Sequence, residues 1–188
     1  MKMGPRPHTV VVTSPPGRPA VRVRIVQLDQ ATLTALAAGD LQAANASSPV
    51  PLTPAFVDPG WRGTWRRRAE QVAVTPADLD WVTGVVWDED LRLAVGRAGF
   101  HAAPDEHGAV EVGYAVDPEY RRRGYARAAL GTMIERARAD PRVVRVLASV
   151  SPDNVASLAL VAQSRFVRLG EQWDDEDGLE WVFELPAS

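Results

Sequence analysis

Apolar and charged residues alternate between Val21 and Leu28, which predicts a strand with one buried face. Asp29 follows at a position suited to cap a helix, because its carboxylate can accept hydrogen bonds from the first helical amides. The next apolar residues share one helical face and predict a single helix: Leu33, Leu36, Ala37, Leu41 and Ala44. A second helix is expected within "GWRGTWRRRAEQVA", after the interruption "ASSPVPLTP".

The segment from Trp81 to Val116 contains three predicted strands separated by turn signals. The strands are "WVTGVVW", "LRLAVGRAGF" and "AVEVGYAV", and the turns between them are "DED" and "PDEHG". Connections this short favour an antiparallel meander.

Helical spacing returns after the meander and predicts a helix that Pro141 ends, with a buried face made of Ala126, Ala129, Leu130, Met133, Ile134 and Ala137. "RVVRVLASV" is predicted to be a buried strand parallel to "AVEVGYAV", because a helix connects the two. Ser151 and Pro152 are expected to start another helix as cap and first-turn residue. "FVRLGEQW" and "EWVFEL", joined by "DDEDG", predict a terminal hairpin.

These elements predict a mixed α/β fold with a single sheet and one domain over residues 21–188, a length typical of one domain. Residues 1–20 are rich in proline and offer a short strand around Val10 to Val12. This strand is expected either to form a hairpin with the next strand or to belong to a loose arm.

Composition narrows the possible functions. The net charge of -3 argues against a general nucleic-acid binder, which relies on a basic surface. The absence of cysteine excludes disulfides, thiolate nucleophiles and cysteine metal sites, and the three histidines make a metal centre unexpected. No signal-peptide core and no apolar run of about 18 residues is present, so the cytoplasm is the expected location and no membrane contact is expected.

The stretch "DPEYRRRGYA" lies between a predicted strand and a predicted helix. At such a junction the first helical amides are unpaired and the helix dipole adds positive charge, which suits a phosphate. Gly124 and Ala126 let an anion approach the backbone, and Arg121 to Arg123 add charge. The alternative is a solvated basic loop in a chain with 20 arginines and one lysine.

The segment "VGYAVDPEYRRRGYARAAL" resembles the acetyl-CoA-binding segment of the GCN5-related N-acetyltransferase (GNAT) superfamily. Its signature is Gln or Arg, two residues, Gly, one residue, then Gly or Ala, and Arg121, Gly124 and Ala126 fill it. "PDNVASLALVAQSRF" resembles the second motif, and the order of elements from Val21 onward is similar. The pattern is closest to ribosomal-protein-alanine N-acetyltransferase-like members. The resemblance implies the GNAT fold, a mostly antiparallel sheet splayed between its central parallel strands and flanked by helices.

The resemblance also implies an enzyme that transfers an acetyl group directly from acetyl-CoA to a primary amine. The pyrophosphate would sit on the amides of Arg122 to Arg127, and the pantetheine arm would pair with the strand at Tyr114 to Val116. Asn154 would hydrogen-bond that arm, with a helix cap as its alternative or additional role. The implied cofactor-binding residues are Tyr114, Ala115, Val116, Arg121, Arg122, Arg123, Gly124, Tyr125, Ala126, Arg127 and Asn154.

The catalytic groups do not follow from the resemblance. The positions that hold a Glu base and a Tyr acid in the ribosomal-protein type hold Ser149 and Val161 here. Glu111 is the candidate base and Ser157 the second catalytic candidate, as a partner of the thiol. Each has a structural alternative, a surface salt contact for Glu111 and helix packing for Ser157. Arg165 also stands where the family often has Gly.

Other polar residues are given structural roles. Tyr114 and Tyr125 are alternative acids but fit better as cofactor-lining or packing residues. His101, at a strand end, and His107, in a turn, are predicted to be structural or solvated.

The acceptor is expected to be a small-molecule or peptide amine. Deprotonation at pH 7 costs about 4.6 kcal/mol for a lysine but only about 1.4 kcal/mol for an α-amine, so a site without the usual base favours an α-amine or another amine of low pKa. One alternative is a catalytically silent CoA-sensing or protein-interaction module. Another is nucleic-acid binding through Trp61, Trp65 and Arg66 to Arg68. A monomer and a homodimer are both compatible with the sequence.

Overall fold

The computed structural model describes residues 10–11, 21–175 and 178–187. Within these ranges no helix is both long and apolar enough to cross a membrane. The strands are β1 (Val10–Val11), β2 (Arg22–Val26), β3 (Gly84–Asp88), β4 (Leu93–Phe100), β5 (Ala109–Val116), β6 (Arg145–Val150), β7 (Val167–Asp174) and β8 (Gly178–Pro186). The helices are α1 (Gln30–Ala38), α2 (Leu41–Ser47), α3 (Pro59–Val74), α4 (Tyr125–Ala139) and α5 (Val155–Gln163).

One sheet contains all of these strands in the order β1-β2-β3-β4-β5-β6-β8-β7. The pairs are antiparallel except β5 with β6, which are parallel and connected through α4. The predicted meander, parallel crossover and terminal hairpin are therefore confirmed. The hairpin alternative for the first strand also holds, because β1 pairs with β2.

The two faces of the sheet carry separate hydrophobic clusters. One lies under α4 and includes the buried Leu130 and Met133, together with Val110 and Val112 of β5. The other lies under α1, α2 and α3, where Leu33, Phe56 and other buried residues pack against β2, β3 and β4. The sheet is thus covered on both sides, as expected of a mixed α/β domain.

The prediction of a single first helix is wrong, because the structure has two helices, α1 and α2, over these residues. Asp29 caps α1 as expected, with Thr32 N donating to its Oδ1 at 2.8 Å. Gly39 then takes a left-handed conformation with φ 78°, which ends α1, and Asp40 caps α2 by accepting from Ala43 N at 2.9 Å. The apolar face continues through this break, so periodicity alone does not reveal it.

The start of α5 also differs from the prediction. Asn154 is the cap, and its Oδ1 accepts from Ser157 N at 3.1 Å. Ser151 and Pro152 instead form the preceding turn, in which Asn154 N donates to the carbonyl of Ser151 at 2.9 Å. The prediction of a cap and first turn at Ser151 and Pro152 is therefore wrong.

The tryptophans of α3 are anchors of the second cluster. Trp65 is fully buried and donates from Nε1 to the carbonyl of Phe56 at 2.8 Å. Trp61 packs edge-on against the ring of Phe56. Buried indoles cannot stack on bases. The structure therefore contradicts nucleic-acid binding by these side chains and supports their anchoring role.

Candidate active site

The parallel strands β5 and β6 separate after a short shared ladder. They pair only from Ala109 to Glu111 on β5 and from Arg145 to Leu147 on β6. Beyond this point β5 stays paired with β4 and β6 with β8, each on its outer side. The inner edges of residues 112–116 and 148–150 therefore face an opening, in which backbone groups can pair with an amide-bearing chain.

A turn suited to an anion follows the open end of β5. Gly124 has φ 95° and stands at the N-cap of α4, where no side chain from the described residues caps the helix. The first backbone hydrogen bond of the helix joins Ala128 N to the carbonyl of Gly124 at 3.0 Å. The preceding amides, from Gly124 to Arg127, therefore have no helical acceptor. A β-carbon on Gly124 would meet only Val21 Cγ2, at 3.7 Å, so the space before these amides is open among the described residues.

The neighbouring arginines shape this turn. Arg121 Nε donates to the carbonyl of Val116 at 3.2 Å, and Arg123 Nη2 donates to the carbonyl of Glu119 at 3.0 Å. Arg122 adopts a positive φ of 61°. All three side chains are exposed, so their charges surround the amides without filling the turn.

Tyr125 points away from the turn. Its ring is buried, and its hydroxyl donates to Asp88 Oδ2 at 2.6 Å. Of the predicted cofactor-binding residues, Tyr125 therefore offers the anion its backbone amide and not its phenol. The side chain is a packing residue, which is one of the two roles that the sequence favoured.

Asn154 lies at the far side of the opening, at the end of the loop that follows β6. Its Oδ1 is used by the α5 cap, whereas its amide nitrogen makes no hydrogen bond within the described part of the chain. Because Asn154 is exposed, this nitrogen can donate to a carbonyl in the opening. The capping and binding roles are therefore compatible.

Glu111 is the last residue of β5 that pairs with β6, and it faces α3. Its Oε2 lies 3.4 Å from His101 Nδ1, and its side chain also contacts Ser149 of β6. Burial acts to raise the pKa of Glu111, but His101, Ser149 and the charge of Arg68 lower it, and the net pKa is lowered. Glu111 is therefore an ionised carboxylate at neutral pH.

Tyr114 and Ser157 meet on the opposite side of the opening, against α5. The phenolic oxygen of Tyr114 is buried and has no hydrogen bond of normal geometry within the described residues. Burial raises the pKa of Tyr114, and the neighbouring Ser157 hydroxyl lowers it by a smaller amount. This side of the opening thus holds two protonated hydroxyls.

The two positions that lack the usual catalytic residues have different environments. Val161 is fully buried, so it has no contact with the opening. Ser149 lies beside Glu111 and accepts a hydrogen bond from Gln172 Nε2 at 3.2 Å. The carboxylate next to the opening thus comes from β5 instead of β6. Arg165 adopts φ 65°, the left-handed conformation that suits the Gly often found there.

The sequence missed the network that holds His101. The Arg68 side chain, from α3, donates to the carbonyl of His101 at 3.0 Å, and Gln71 Nε2 donates to the same oxygen at 2.8 Å. Gln71 also donates to the buried Asp78 at 2.7 Å. These residues are distant in sequence and carry no motif. Only the opposition of two adjacent strands, which puts His101 across from Glu111, could have indicated the pair.

Comparison with known proteins agrees with this arrangement. Residues 22–167 match the family described as acetyltransferase (GNAT) domain. The chain belongs to the GNAT acetyltransferase family. Its GNAT domain is 34% identical over 83 residues to the uncharacterized N-acetyltransferase YjdG of Bacillus subtilis, a match that covers 44% of this chain and 49% of the relative. The chain thus spans about half the length of the curated relatives that it matches.

Solved structures share the GNAT fold at low identity. The ribosomal-protein-S5-alanine acetyltransferase from Vibrio fischeri is 20% identical with a TM-score of 0.58, and the match covers 89% of this chain and 93% of that one. Mycobacterium smegmatis RimJ in complex with CoA-disulfide is 17% identical with a TM-score of 0.59, covering 89% and 82%. The expected GNAT fold is therefore confirmed.

Proposed function

We propose that this member of the GNAT family is an N-acetyltransferase that uses acetyl-CoA as its donor and transfers the acetyl group directly to a primary amine of low pKa. The observation that carries the proposal is the combination of the β5/β6 opening with the uncapped turn at Gly124. The two features lie at the same end of β5. One accepts an amide-bearing arm and the other accepts a pyrophosphate.

Each implied cofactor residue has a defined task in this proposal. The amides from Gly124 to Arg127 hold the pyrophosphate, and the exposed charges of Arg121 to Arg123 surround it. The open edge at Tyr114 to Val116 pairs with the pantetheine arm, and the amide nitrogen of Asn154 donates to the same arm. RimJ, which shares the fold, is known as a complex with CoA-disulfide, and this supports a CoA-type donor.

The chemical groups lie on two sides of the opening, and this suits direct transfer. Acetyl transfer needs an amine without its proton and a thiolate that regains one. The ionised Glu111 makes the α3 side basic, whereas Ser157 and Tyr114 provide hydroxyls on the α5 side. The amine is therefore proposed to enter from the α3 side, and the thiolate to be protonated from the α5 side.

The acceptor class follows from the cost of deprotonation. An α-amine requires about 3 kcal/mol less than a lysine side chain at pH 7. The name of the Vibrio fischeri enzyme refers to an alanine of a ribosomal protein, which supports an α-amine as acceptor. A peptide N-terminus or a small-molecule amine of low pKa is proposed, with the cytoplasm as the place of reaction.

The test compares two glycines with positive φ. Gly124→Glu should abolish acetyl-CoA binding in calorimetry, because the carboxylate projects toward the proposed phosphate site. Gly178 has φ 77°, and no described atom lies within 4 Å of an added β-carbon, so Gly178→Glu is the matched control and should bind normally. Equal affinity of Gly124→Glu and the wild type would refute the donor site.

Turnover is tested in the same preparation. Thiol release should appear with at least one member of a panel of α-amines, polyamines and aminoglycosides. Binding of acetyl-CoA without acetylation of any member would favour the catalytically silent CoA-sensing module.

A further inference from the structure

His101 lies at the strand end that the sequence predicted, but its contact with Glu111 of the neighbouring strand was not predicted. It follows the last residue of β4, and its backbone N–H donates to the carbonyl of Glu111 at 2.8 Å. Its ring lies over Gly113, because Nε2 and Cδ2 are the atoms nearest to a β-carbon built on that glycine, at 3.0 and 3.4 Å. Gly113 is two residues beyond Glu111, past the end of the shared ladder. The imidazole therefore extends from Glu111 toward the opening.

The two ring nitrogens of His101 have different surroundings. Nδ1 faces Glu111 Oε2 at 3.4 Å, so a carboxylate stands where Nδ1–H can donate. In the tautomer that donates Nδ1–H to this carboxylate, Nε2 is left as an acceptor. His101 keeps 47% of its side-chain surface exposed, against 28% for Glu111. An entering amine therefore reaches Nε2 more easily than it reaches the carboxylate.

We propose that His101 Nε2 takes the proton from the acceptor amine and that Glu111 is a positioning residue that orients the imidazole. This rests on the proposed function. It replaces the sequence-based hypotheses that Glu111 is the base and that His101 is structural or solvated. Glu111 is poorly suited to accept the proton of the amine because its pKa is lowered, whereas an efficient general base has a pKa near the working pH.

The charged groups around His101 come from several elements. Glu111 faces the His101 ring from β5, and the Arg68 side chain of α3 donates to the backbone carbonyl of His101. Asp78 accepts from Ala103 N at 3.0 Å in the loop that follows, and Asp105 lines the same hollow as His101 and Glu111. The charged groups near His101 within the described residues are therefore three carboxylates and one guanidinium.

The proposed step is balanced. The nitrogen lone pair of the neutral amine forms a bond to the thioester carbonyl carbon, and the electrons of the C=O bond move to oxygen. The N–H proton then passes to His101 Nε2. The C–S bond breaks with its electron pair on sulfur, the carbonyl re-forms, and the thiolate takes a proton from the hydroxyl side of the opening or from water. The imidazolium finally gives its proton to solvent.

The kinetic test uses two histidines. With an acceptor amine that stays neutral across the pH range, His101→Gln should lower kcat/KM by about 10² to 10⁴-fold and remove the acidic limb of its pH profile. His107→Gln is the matched control, because His107 is an exposed turn residue, and it should leave both unchanged. Added 4-methylimidazole should restore part of the rate of His101→Ala, measured as acetylated amine.

Further variants test the geometry. Glu111→Gln should keep the acidic limb at a reduced rate, because the base remains but loses its orientation. Gly113→Ala should also lower kcat/KM, since the His101 ring is the only group among the described residues that the new methyl group contacts. Retention of the limb in His101→Gln together with its loss in Glu111→Gln would overturn the inference and identify Glu111 as the base.

A readout independent of turnover is the tautomer of His101. Ring ¹⁵N spectra of the CoA-bound protein should show Nδ1–H with an unprotonated Nε2, and Glu111→Gln should reduce this preference. A dominant Nε2–H form would overturn the inference. Failure of the proposed acetyl transfer would be recognised separately, because the wild-type protein would then release no thiol with any amine. That result would refute the base role of His101 as well. Turnover unaffected by His101→Gln would refute the inference alone.

Discussion

The phenol of Tyr125 donates a buried hydrogen bond of 2.6 Å to Asp88 Oδ2 and thereby ties the first residue of α4 to the end of β3. The other oxygen of Asp88 accepts the amides of Asp90 and Leu91 at 2.8 and 2.7 Å. One carboxylate therefore fixes both the β3–β4 turn and the start of the helix that follows the proposed phosphate site.

Tyr125→Phe should lower the free energy of unfolding by about 1.5–3 kcal/mol, as expected for a hydrogen bond to a charged group. Burial and the ionised Asp88 raise the pKa of Tyr125. The stabilisation is therefore complete below the ordinary tyrosine pKa and is lost only as pH rises through the higher folded value. Urea denaturation at neutral pH measures the loss. Tyr120→Phe, which removes the same atom from a half-buried ring, is the control, and an equal loss there would contradict the assignment.

Gly96→Ala should weaken both the fold and acetyl-CoA binding. A β-carbon at Gly96 would lie 2.5 Å from the carbonyl of Ala115 and 3.1 Å from Val116 Cα, so β5 must shift where the pantetheine arm is proposed to pair. The expected loss of stability is about 1–3 kcal/mol. Gly63→Ala, in α3 with no atom within 4 Å, is the control and should be neutral or stabilising by up to about 1 kcal/mol. Calorimetry with unchanged acetyl-CoA affinity for Gly96→Ala would count against pairing at Ala115 and Val116.

Asn154 variants separate its two roles. Asn154→Ala should cost about 1 kcal/mol, because α5 loses its cap. Asn154→Ser keeps a capping oxygen and should retain most of the stability, but it loses the side-chain nitrogen proposed to bind the arm. We expect acetyl-CoA affinity to fall in both variants and thermal stability to fall mainly in Asn154→Ala. If Asn154→Ser binds acetyl-CoA like the wild type, Asn154 is only a cap.

Tyr114→Phe tests which hydroxyl serves the thiolate. The buried phenolic oxygen has no normal hydrogen bond within the described residues, so its removal should leave stability unchanged or raise it slightly. A fall in kcat of tenfold or more would therefore report a catalytic role and not a structural one. Ser157→Ala is compared in the same assay. The residue whose loss lowers kcat more is the proton donor, and no change in either variant would leave the proton to water.

Asp140 should make a small contribution to acid stability. The hydrogen bond from Arg142 lowers the pKa of Asp140 to about 2, from an ordinary value of 3.8. Its contribution is therefore complete above about pH 4 and is lost as pH falls toward about 2. The pair is at the surface, so the effect should stay below about 1 kcal/mol. Urea denaturation should show a smaller loss of stability between pH 4 and pH 2 for Asp140→Asn than for the wild type. An equal loss of unfolding free energy in the two proteins over this pH range would contradict this account.

The elements that the sequence predicted well are those whose signal is local. Alternation identified β2 and the meander, and helical spacing identified α4, because each pattern depends only on which face is buried. The break between α1 and α2 was missed because Gly39 and Asp40 interrupt the backbone without interrupting the apolar face. At α5 two cap signals competed, and the turn after β6 determined that Asn154 is the cap.

The site was predictable only in part for the same reason. The signature at Arg121, Gly124 and Ala126 is contiguous, so the turn was expected from the sequence. His101 and Glu111 are ten residues apart and meet because β4 and β5 pair in one register. The inward direction of Tyr125 depends on Asp88, 37 residues earlier. Long-range contacts of this kind are consequences of topology, which one sequence does not reveal.

The short parallel ladder also has a mechanical consequence. Among the described residues, the ladder between β5 and β6 has only three residue pairs, and bonds from the amides of Val144 and Arg145 to the carbonyl of Gly108 precede it. Helix α4 packs across this junction between strands β1–β5 and strands β6–β8. An amide-bearing chain that fills the opening between β5 and β6 would add backbone hydrogen bonds between the two parts of the sheet. Amide protons along the inner edge of β5 should thus exchange with solvent faster in the free protein than in the protein with acetyl-CoA bound. Under the proposed function, the sheet should therefore become more rigid when the donor binds and less rigid when the product leaves.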